Sequence, residues 1–112
     1  MQIGFVTAIF HDLSLEEVLA FAADEGSECV EPMCWPPGKA DRRYAGLTHI
    51  DVTDFTPAAA DHVRGLLRIH GVKLSGLGYY PNPLDPDLDH RRAVAEHLKK
   101  VIRAAPRTSP KT

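Results

Sequence analysis

The chain has 112 residues, enough for one domain with a modest core, and its 44% hydrophobic and 25% charged content is ordinary for a soluble globular protein. The 13 basic and 15 acidic residues give a net charge of −2. This argues against a nucleic-acid partner, because phosphate binding needs a clearly basic face. The first residues carry neither a basic segment nor a long apolar run, so we expect no signal peptide and no membrane span. We therefore expect a cytoplasmic protein with Cys29 and Cys34 as reduced thiols.

The first predicted unit is a strand followed by a helix. Residues 3–10 are apolar on both faces, which predicts a buried parallel strand. Ser14 and Glu17 have the spacing of a capping box and begin the first helix, and Gly26 ends it. The helix carries apolar residues at helical spacing: Leu15, Val18, Leu19 and Ala22.

The second unit consists of a strand, a long loop and a helix. Residues 28–33 predict a short strand. Residues 34–55 form an irregular segment whose aromatic and apolar content favours an ordered loop. Thr56 caps the second helix, Pro57 occupies its first position and Gly71 ends it.

The third strand leads into an aromatic loop. Residues 72–78 predict a buried strand that delivers Tyr79 and Tyr80 to the surface. Gly76 and Gly78 have no side chain to pack, which in a strand marks a close approach by another backbone or a ligand.

The third helix follows a loop at residues 84–89 that contains several possible caps. Pro106 is predicted to stop this helix, and residues 107–112 to form a frayed polar tail. The apolar stripe of the helix is predicted to comprise Val94, Leu98, Val101, Ile102 and Ala105.

These elements predict an α/β fold, a βαβαβα parallel sheet with right-handed crossovers. Ligands of such folds gather at the carboxyl ends of the strands. The residues expected there are Phe10, His11 and Asp12 after the first strand, Glu31, Met33 and Trp35 after the second, and Tyr79, Tyr80 and Asn82 after the third.

Four stretches of the chain, taken in order, resemble a known family. They are residues 4–7 (GFVT), 30–32 (VEP), 44–52 (YAGLTHIDV) and 74–84 (LSGLGYYPNPL). Together they resemble the N-terminal part of the sugar phosphate isomerase/epimerase family, the xylose-isomerase-like TIM barrels. The resemblance extends to about Ala105.

The resemblance implies an eight-stranded (β/α) barrel, a divalent metal ion (Mn, Mg or Zn), a sugar or sugar phosphate as substrate, and proton transfer beside a carbonyl. The chain offers the first three strand–helix units, and the metal ligands of the family lie mostly on later strands. Residues 1–106 are therefore expected to be the N-terminal part of such a barrel, followed by the tail at 107–112. We expect no metal site and no catalysis in this part alone, so no catalytic residue is assigned.

Three polar residues near the predicted strand ends are candidates for substrate contact. Glu31 ends an apolar strand, where it either contacts substrate or a metal ligand, as the resemblance implies, or is a surface or salt-bridged carboxylate. His49 either lines the barrel mouth or is a hydrogen-bonded structural histidine. His11 is either part of the active-site wall or a loop residue.

Three aromatic residues are candidates for contact with a sugar, because aromatic faces suit its apolar side. We expect one of Tyr79 and Tyr80 to form a stacking wall and the other to pack under the loop. Trp35 has the same two alternatives.

Other kinds of site lack their sequence signals. The chain has no HxxxH, HxH or CxxC spacing typical of metal sites, and no GxGxxG typical of dinucleotide binding follows the first strand. Related nucleases that cut DNA at abasic sites use a histidine at the end of the third strand, where this chain has Tyr79 and Tyr80. The helical histidines are assigned no chemistry: His62, His70, His90 and His97.

A non-enzymatic function is the alternative. Three strands of a barrel leave their outer edges and inner face uncovered, and uncovered edges pair with other strands. The chain could therefore be an α/β module that binds a partner or a small ligand, or that self-associates.

Overall fold

The computed structural model describes residues 1–36, 48–81 and 84–108. They form a mixed α/β fold with a three-stranded parallel sheet, which confirms the predicted class. In chain order the strands and helices are β1 (Gly4–Val6), α1 (Leu15–Asp24), β2 (Cys29–Glu31), α2 (Pro57–His70), β3 (Lys73–Leu74) and α3 (Leu88–Thr108).

The sheet is wound in one direction, because consecutive strands are neighbours. β2 lies between β1 and β3 and pairs in parallel with both. Right-handed crossovers between neighbouring strands put both connecting helices on one face of the sheet. Consistent with this, α2 packs against both α1 and α3.

The core lies between this helical layer and the sheet. Val30 of β2 is fully buried in it, so the alternation along the strand directs Cys29 and Glu31 to the opposite face. The helices contribute Leu15, Leu19, Ala22, Ala60, Val63, Leu66, Leu67, Val101 and Ala104, and the loop before α2 contributes Ile50, Val52 and Phe55.

Local capping signals set the helix ends as predicted. The Ser14 hydroxyl accepts from the Glu17 amide at 3.2 Å, while the Glu17 carboxylate accepts from the Ser14 amide at 3.1 Å. Thr56 caps α2 by accepting from the Ala59 amide at 3.1 Å. Gly71 ends α2 with a φ of 67°, a left-handed conformation that favours glycine.

The first and third strands are shorter than predicted, since β3 spans only Lys73–Leu74 where the sequence predicts strand over residues 72–78. Residues 4–6 are extended, but Thr7–Phe10 form a 3-10 turn where the sequence predicts continued strand. The Thr7 side chain explains the change, because its buried Oγ1 accepts from the Met33 amide at 3.0 Å and contacts His49 Nδ1 at 2.7 Å. The chain leaves the sheet where this side chain becomes fixed.

The third helix is longer than predicted, since it continues through Pro106 to Thr108. A proline this close to the carboxyl end removes one helical hydrogen bond without ending the helix. The Arg107 guanidinium donates to the Phe55 carbonyl at 2.9 Å, and the buried Thr108 donates to the Ala105 carbonyl at 2.7 Å. The first two residues of the predicted tail therefore belong to α3.

The predicted apolar stripe of α3 is also wrong in part. Leu98 is 37% exposed, Ile102 is 62% exposed and Ala105 is also exposed, so none of the three belongs to the core. The buried residues of α3 are Val94, His97, Val101, Ala104 and Thr108.

Three segments with sequence-based predictions lie outside the described residues: residues 37–47 of the predicted ordered loop, which include the start of the third motif, the loop positions 82–83 and the tail at 109–112. Within the described part, no helix is both long and apolar enough to cross a membrane. Cys29 and Cys34 are buried free thiols, and burial raises the pKa of Cys34 to about 12.

We expect Gly4→Ala to destabilise the fold by about 1–3 kcal/mol, since overpacking carries a cost of this order. A methyl group at Gly4 would overlap the Cys29 carbonyl and lie 2.8 Å from its Sγ, so β1 and β2 would have to separate. Chemical denaturation measures the difference. Gly65→Ala is the matched control, because a methyl group there has open space and is expected to stabilise α2 by about 0.5–1 kcal/mol. Equal effects of the two substitutions would contradict the close β1–β2 approach.

Candidate functional site

The carboxyl ends of the three strands are held together through residues 32–34, which are fully buried. The Cys34 amide donates to the Gly78 carbonyl at 2.8 Å, and the Gly78 amide donates to the Pro32 carbonyl at 2.8 Å. Together with the bond from the Met33 amide to Thr7, these contacts connect the ends of β1, β2 and β3. The side chains that follow each strand are therefore fixed relative to one another.

Glu31 and Tyr80 form a pair of neighbouring polar side chains at this end of the sheet. Glu31 is half-buried on the face away from the helices, and its carboxylate lies close enough to the Tyr80 hydroxyl to influence its pKa. Gly78 makes room for the side chains beside this pair, whereas a methyl group at Gly76 would make only an ordinary van der Waals contact. A methyl group at Gly76 would lie 3.7 Å from Glu31 Oε1, and one at Gly78 would lie 3.1 Å from the Tyr80 hydroxyl and overlap the Met33 side chain. The close approach expected at the glycines is thus made at Gly78, by side chains.

Desolvation, with the hydrogen bond and negative charge of Glu31, raises the pKa of Tyr80 to about 12. The phenol therefore keeps its proton at neutral pH. Tyr80 is a hydrogen-bond donor beside a carboxylate acceptor, and 55% of its surface is exposed. The pair can present a donor and an acceptor to a ligand at the strand ends.

An aromatic row runs beside this pair. The Tyr79 ring lies between Trp35 at 5.0 Å and His97 at 4.6 Å between centroids, with edge-to-face geometry in both contacts. His97 Nε2 donates to the Cys34 carbonyl at 2.6 Å, which anchors the row to the end of β2. Burial raises the pKa of Tyr79. Trp35 and Tyr79 are half-buried, so parts of both rings remain accessible.

His49 belongs to a separate, internal network. Its Nδ1 accepts from the Thr7 hydroxyl at 2.7 Å, and its Nε2 donates to the carbonyls of Leu13 at 2.9 Å and Phe10 at 3.2 Å. Burial lowers the pKa of His49, although the two carbonyls favour the charged ring. Both ring nitrogens are hydrogen-bonded within the protein, which agrees with the prediction of a hydrogen-bonded structural histidine.

The candidate residues therefore fall into three groups. The structure brings Glu31 together with Tyr80, and Trp35 together with Tyr79. His49 lies under the turn after β1, with its ring bonded to the backbone there. His11 is exposed on that turn and is part of neither the pair nor the aromatic row.

His97 is the site residue that the sequence-based assignment missed. Helical histidines were given no chemistry, yet this ring is buried and contacts Tyr79. The signal was available in the spacing, because His97 lies three residues after Val94 and four before Val101. This is the core-facing period of an amphipathic helix.

We expect Glu31→Gln to lower the pKa of Tyr80 from about 12 towards the ordinary value of 10.0. The substitution removes both the charged acceptor and the negative charge beside the phenol. Tyrosinate absorbance measures the titration, in a Tyr44→Phe/Tyr79→Phe background that leaves Tyr80 as the single tyrosine. Glu28→Gln, an exposed carboxylate just before β2, is the control and should leave the titration unchanged. An unchanged titration in Glu31→Gln would show that the pair does not form in solution.

The His49 network predicts a pH-dependent stability. The pKa of His49 in the folded chain lies below its ordinary value of 6.5, so the unfolded chain binds a proton that the folded chain does not. The free energy of unfolding should therefore decrease as the pH falls through 6.5 towards the folded pKa. At neutral pH, His49→Ala should cost about 1–3 kcal/mol, because Thr7 and two carbonyls lose a buried partner.

Denaturation at about pH 7.5 and about pH 5.5, on either side of the ordinary histidine pKa, measures this dependence. His49→Gln should reduce the difference between the two pH values. His62→Gln is the control, because it removes an imidazole from an exposed position of α2. An equal reduction in both variants would rule out the network as the source.

Comparisons with known proteins do not assign this arrangement to a family. No protein-family model, curated protein or solved structure matches the chain. What the site can do must therefore be inferred from its geometry. The geometry is a carboxylate–phenol pair and a row of aromatic rings at the carboxyl ends of three parallel strands.

Proposed function

We propose that this chain is the N-terminal part of a sugar or sugar-phosphate isomerase/epimerase of the xylose-isomerase-like TIM-barrel type. It supplies the first wall of the barrel and part of the substrate pocket. The observation that carries the proposal is the pairing of Glu31 with Tyr80 beside the Trp35–Tyr79–His97 row, at the strand ends where α/β folds bind ligands.

The winding of the sheet supports the proposal. A barrel is built from parallel strands added in sequence order, each followed by a helix on the outer face. Here β1, β2 and β3 are adjacent in that order, and the helices cover one face. The uncovered face carries Glu31, Lys73 and Ser75, as expected for polar residues that line a barrel interior.

The chemistry of the site suits a polyhydroxylated ligand. The Glu31 carboxylate can accept from sugar hydroxyls, while the protonated Tyr80 phenol can donate to them or to a carbonyl oxygen. The rings of Trp35 and Tyr79 offer apolar surface to the C–H face of a sugar. These groups bind and orient a sugar, and we assign no catalytic step to this chain alone.

The divalent metal that the family resemblance implies is not accounted for by these residues. In the described ranges no three His, Cys, Asp or Glu side chains are close enough to hold an ion together. A metal-binding site of three or more protein ligands would need residues from elsewhere. No step of the proposal is therefore routed through a metal.

Sugar binding tests the proposal directly. Trp35 is the only tryptophan and touches Tyr79, so its fluorescence reports on the aromatic row. Titration with a ketopentose, a ketohexose and their phosphate esters should give a saturable change with a dissociation constant of about 1 mM or below, as a partial site still contributes about 4 kcal/mol. Tyr80→Phe should weaken binding several-fold, since it removes one donor worth about 0.5–1.5 kcal/mol. Tyr79→Leu should weaken it by a similar factor through the lost ring contact.

The control is His90→Asn, an exposed substitution in the first turn of α3 that should leave the titration unchanged. Circular dichroism checks that each variant is folded. The absence of a saturable change with any of these sugars, in a folded chain, would overturn the proposal and favour the non-enzymatic module.

A further inference from the structure

Acidic and basic residues are concentrated at opposite edges of the sheet. Residues 1–36 contain seven acidic residues and no lysine or arginine, whereas α3 contains six basic and two acidic residues. Because α2 lies between α1 and α3, the acidic α1 and the basic α3 are at opposite sides of the helical layer. The molecule therefore has an acidic side at β1–α1 and a basic side at β3–α3.

The edge strand on the acidic side is β1, and the edge strand on the basic side is β3. β1 and β3 pair only with β2 among the described residues. At the basic side, the amides of Lys73 and Ser75 donate to β2 at 3.0 and 2.9 Å. Strand alternation therefore directs the N–H and C=O of Leu74 to the free edge, where another strand can pair with them.

A groove of about 850 Å³ follows the free edge of β3, between α2 and the end of α3. Its lining combines apolar side chains with three cations, Arg64, Arg68 and Lys73, and the Asp61 carboxylate. Arg64 is already bound by Asp61 and the Arg107 carbonyl. Arg68 and Lys73 have no ion-pair partner in the part of the chain that the structure describes. The groove thus offers an apolar floor and unpaired positive charge beside an open strand edge.

The acidic side offers the complementary features. Phe5, Phe10 and Phe21 form a ring cluster with centroids 4.8 to 6.1 Å apart, and Phe21 remains 39% exposed. Asp24 and Glu25 lie three and four residues after Phe21, on the same side of α1. Exposed apolar residues on α3, Leu98 and Ile102, provide a surface that such a cluster can cover.

We propose that copies of this chain associate head to tail, with β1 of one copy added in parallel to the free edge of β3 of the next. In this arrangement the acidic α1 of one copy packs against the basic α3 of the other and the groove that contains Arg68 and Lys73. The parallel sheet then continues from one copy into the next. Helix α3 covers the new β3–β1 pair, as α1 covers β1–β2 and α2 covers β2–β3. The interface is heterologous, because different surfaces of the two copies meet. The proposal concerns the 112-residue chain by itself, because later strands of the barrel proposed above would occupy the same edges. It does not depend on sugar binding, which concerns the strand ends.

Sedimentation velocity of the 112-residue chain over a range of concentrations tests the association at low and high salt. Association should increase with concentration and weaken as sodium chloride screens the charges. Two charge-reversed variants test the surfaces: Asp24→Lys/Glu25→Lys on the acidic side and Arg68→Glu/Lys73→Glu on the basic side. Each should weaken self-association by at least about tenfold, because like charges then face each other.

Mixing the two variants separates head-to-tail association from other modes. The mixture restores opposite charges at the junctions between the two variants, so the variants should associate with each other although each alone is monomeric. The charge-conserving exchanges Asp24→Glu/Glu25→Asp and Arg68→Lys/Lys73→Arg are the controls and should associate like the parent. Circular dichroism checks the fold of every variant.

A parent chain that stays monomeric at low salt up to about 1 mM, where even weak contacts are populated, would overturn the proposal. So would folded charge-reversed variants that associate as well as the parent, or folded monomeric variants that fail to combine. The salt dependence of the parent chain remains decisive where a variant does not fold. Self-association is followed by sedimentation and sugar binding by tryptophan fluorescence, so the failure of one proposal can be told from the failure of the other.

Discussion

The buried backbone of residues 32–34 is the constraint on which the rest of the structure depends. The chain leaves β2 here without leaving the interior, and Pro32 has no N–H to continue the ladder. A buried backbone group without a partner costs about 1–3 kcal/mol. The partners come from the turn after β1, the loop before α2, the segment after β3 and α3. Met33 accepts from the amides of His49 and Ile50 at 2.8 and 3.2 Å, and His97 donates to the Cys34 carbonyl.

The geometry of the candidate site follows from the hydrogen bonds made by the buried backbone of residues 32–34. The bonds between Gly78 and residues 32 and 34 place the chain after β3 beside β2, so that Tyr80 reaches Glu31. The bond from His97 holds one end of the aromatic row. The side chains available to a ligand are thus a consequence of backbone hydrogen bonding, and their positions do not depend on a flexible loop alone.

Much of the fold could be predicted from local signals, whereas the contacts of the site could not. The capping box at Ser14 and Glu17, the cap at Thr56 and the left-handed Gly71 are short-range patterns, and the structure has all of them. Parallel strands alternating with helices also predict that a site lies at the strand ends. The end of β1 was mispredicted, because the contact of Thr7 with His49 spans 42 residues and leaves no local pattern.

The third helix also shows that contacts distant in sequence cannot be predicted from a local pattern. Hydrophobicity favours Leu98 and Ile102 for the core, and both are exposed. His97 is buried instead, because its Nε2 donates a hydrogen bond to the Cys34 carbonyl. This bond offsets the cost of burying a polar ring. A partner 63 residues away cannot be inferred from the helix itself. The pairing of Glu31 with Tyr80 is hidden from the sequence for the same reason.

The long sequence separations around residues 32–34 have a consequence for the order of folding. Helix α1 contains its own capping box and can begin from local contacts, within its first turn. The bonds from Met33 to Thr7 and from His97 to Cys34 close loops of 26 and 63 residues, so they form only after large losses of chain entropy. The strand ends are therefore the part of the molecule that assembles last. An early folding intermediate would contain helices but not the candidate site.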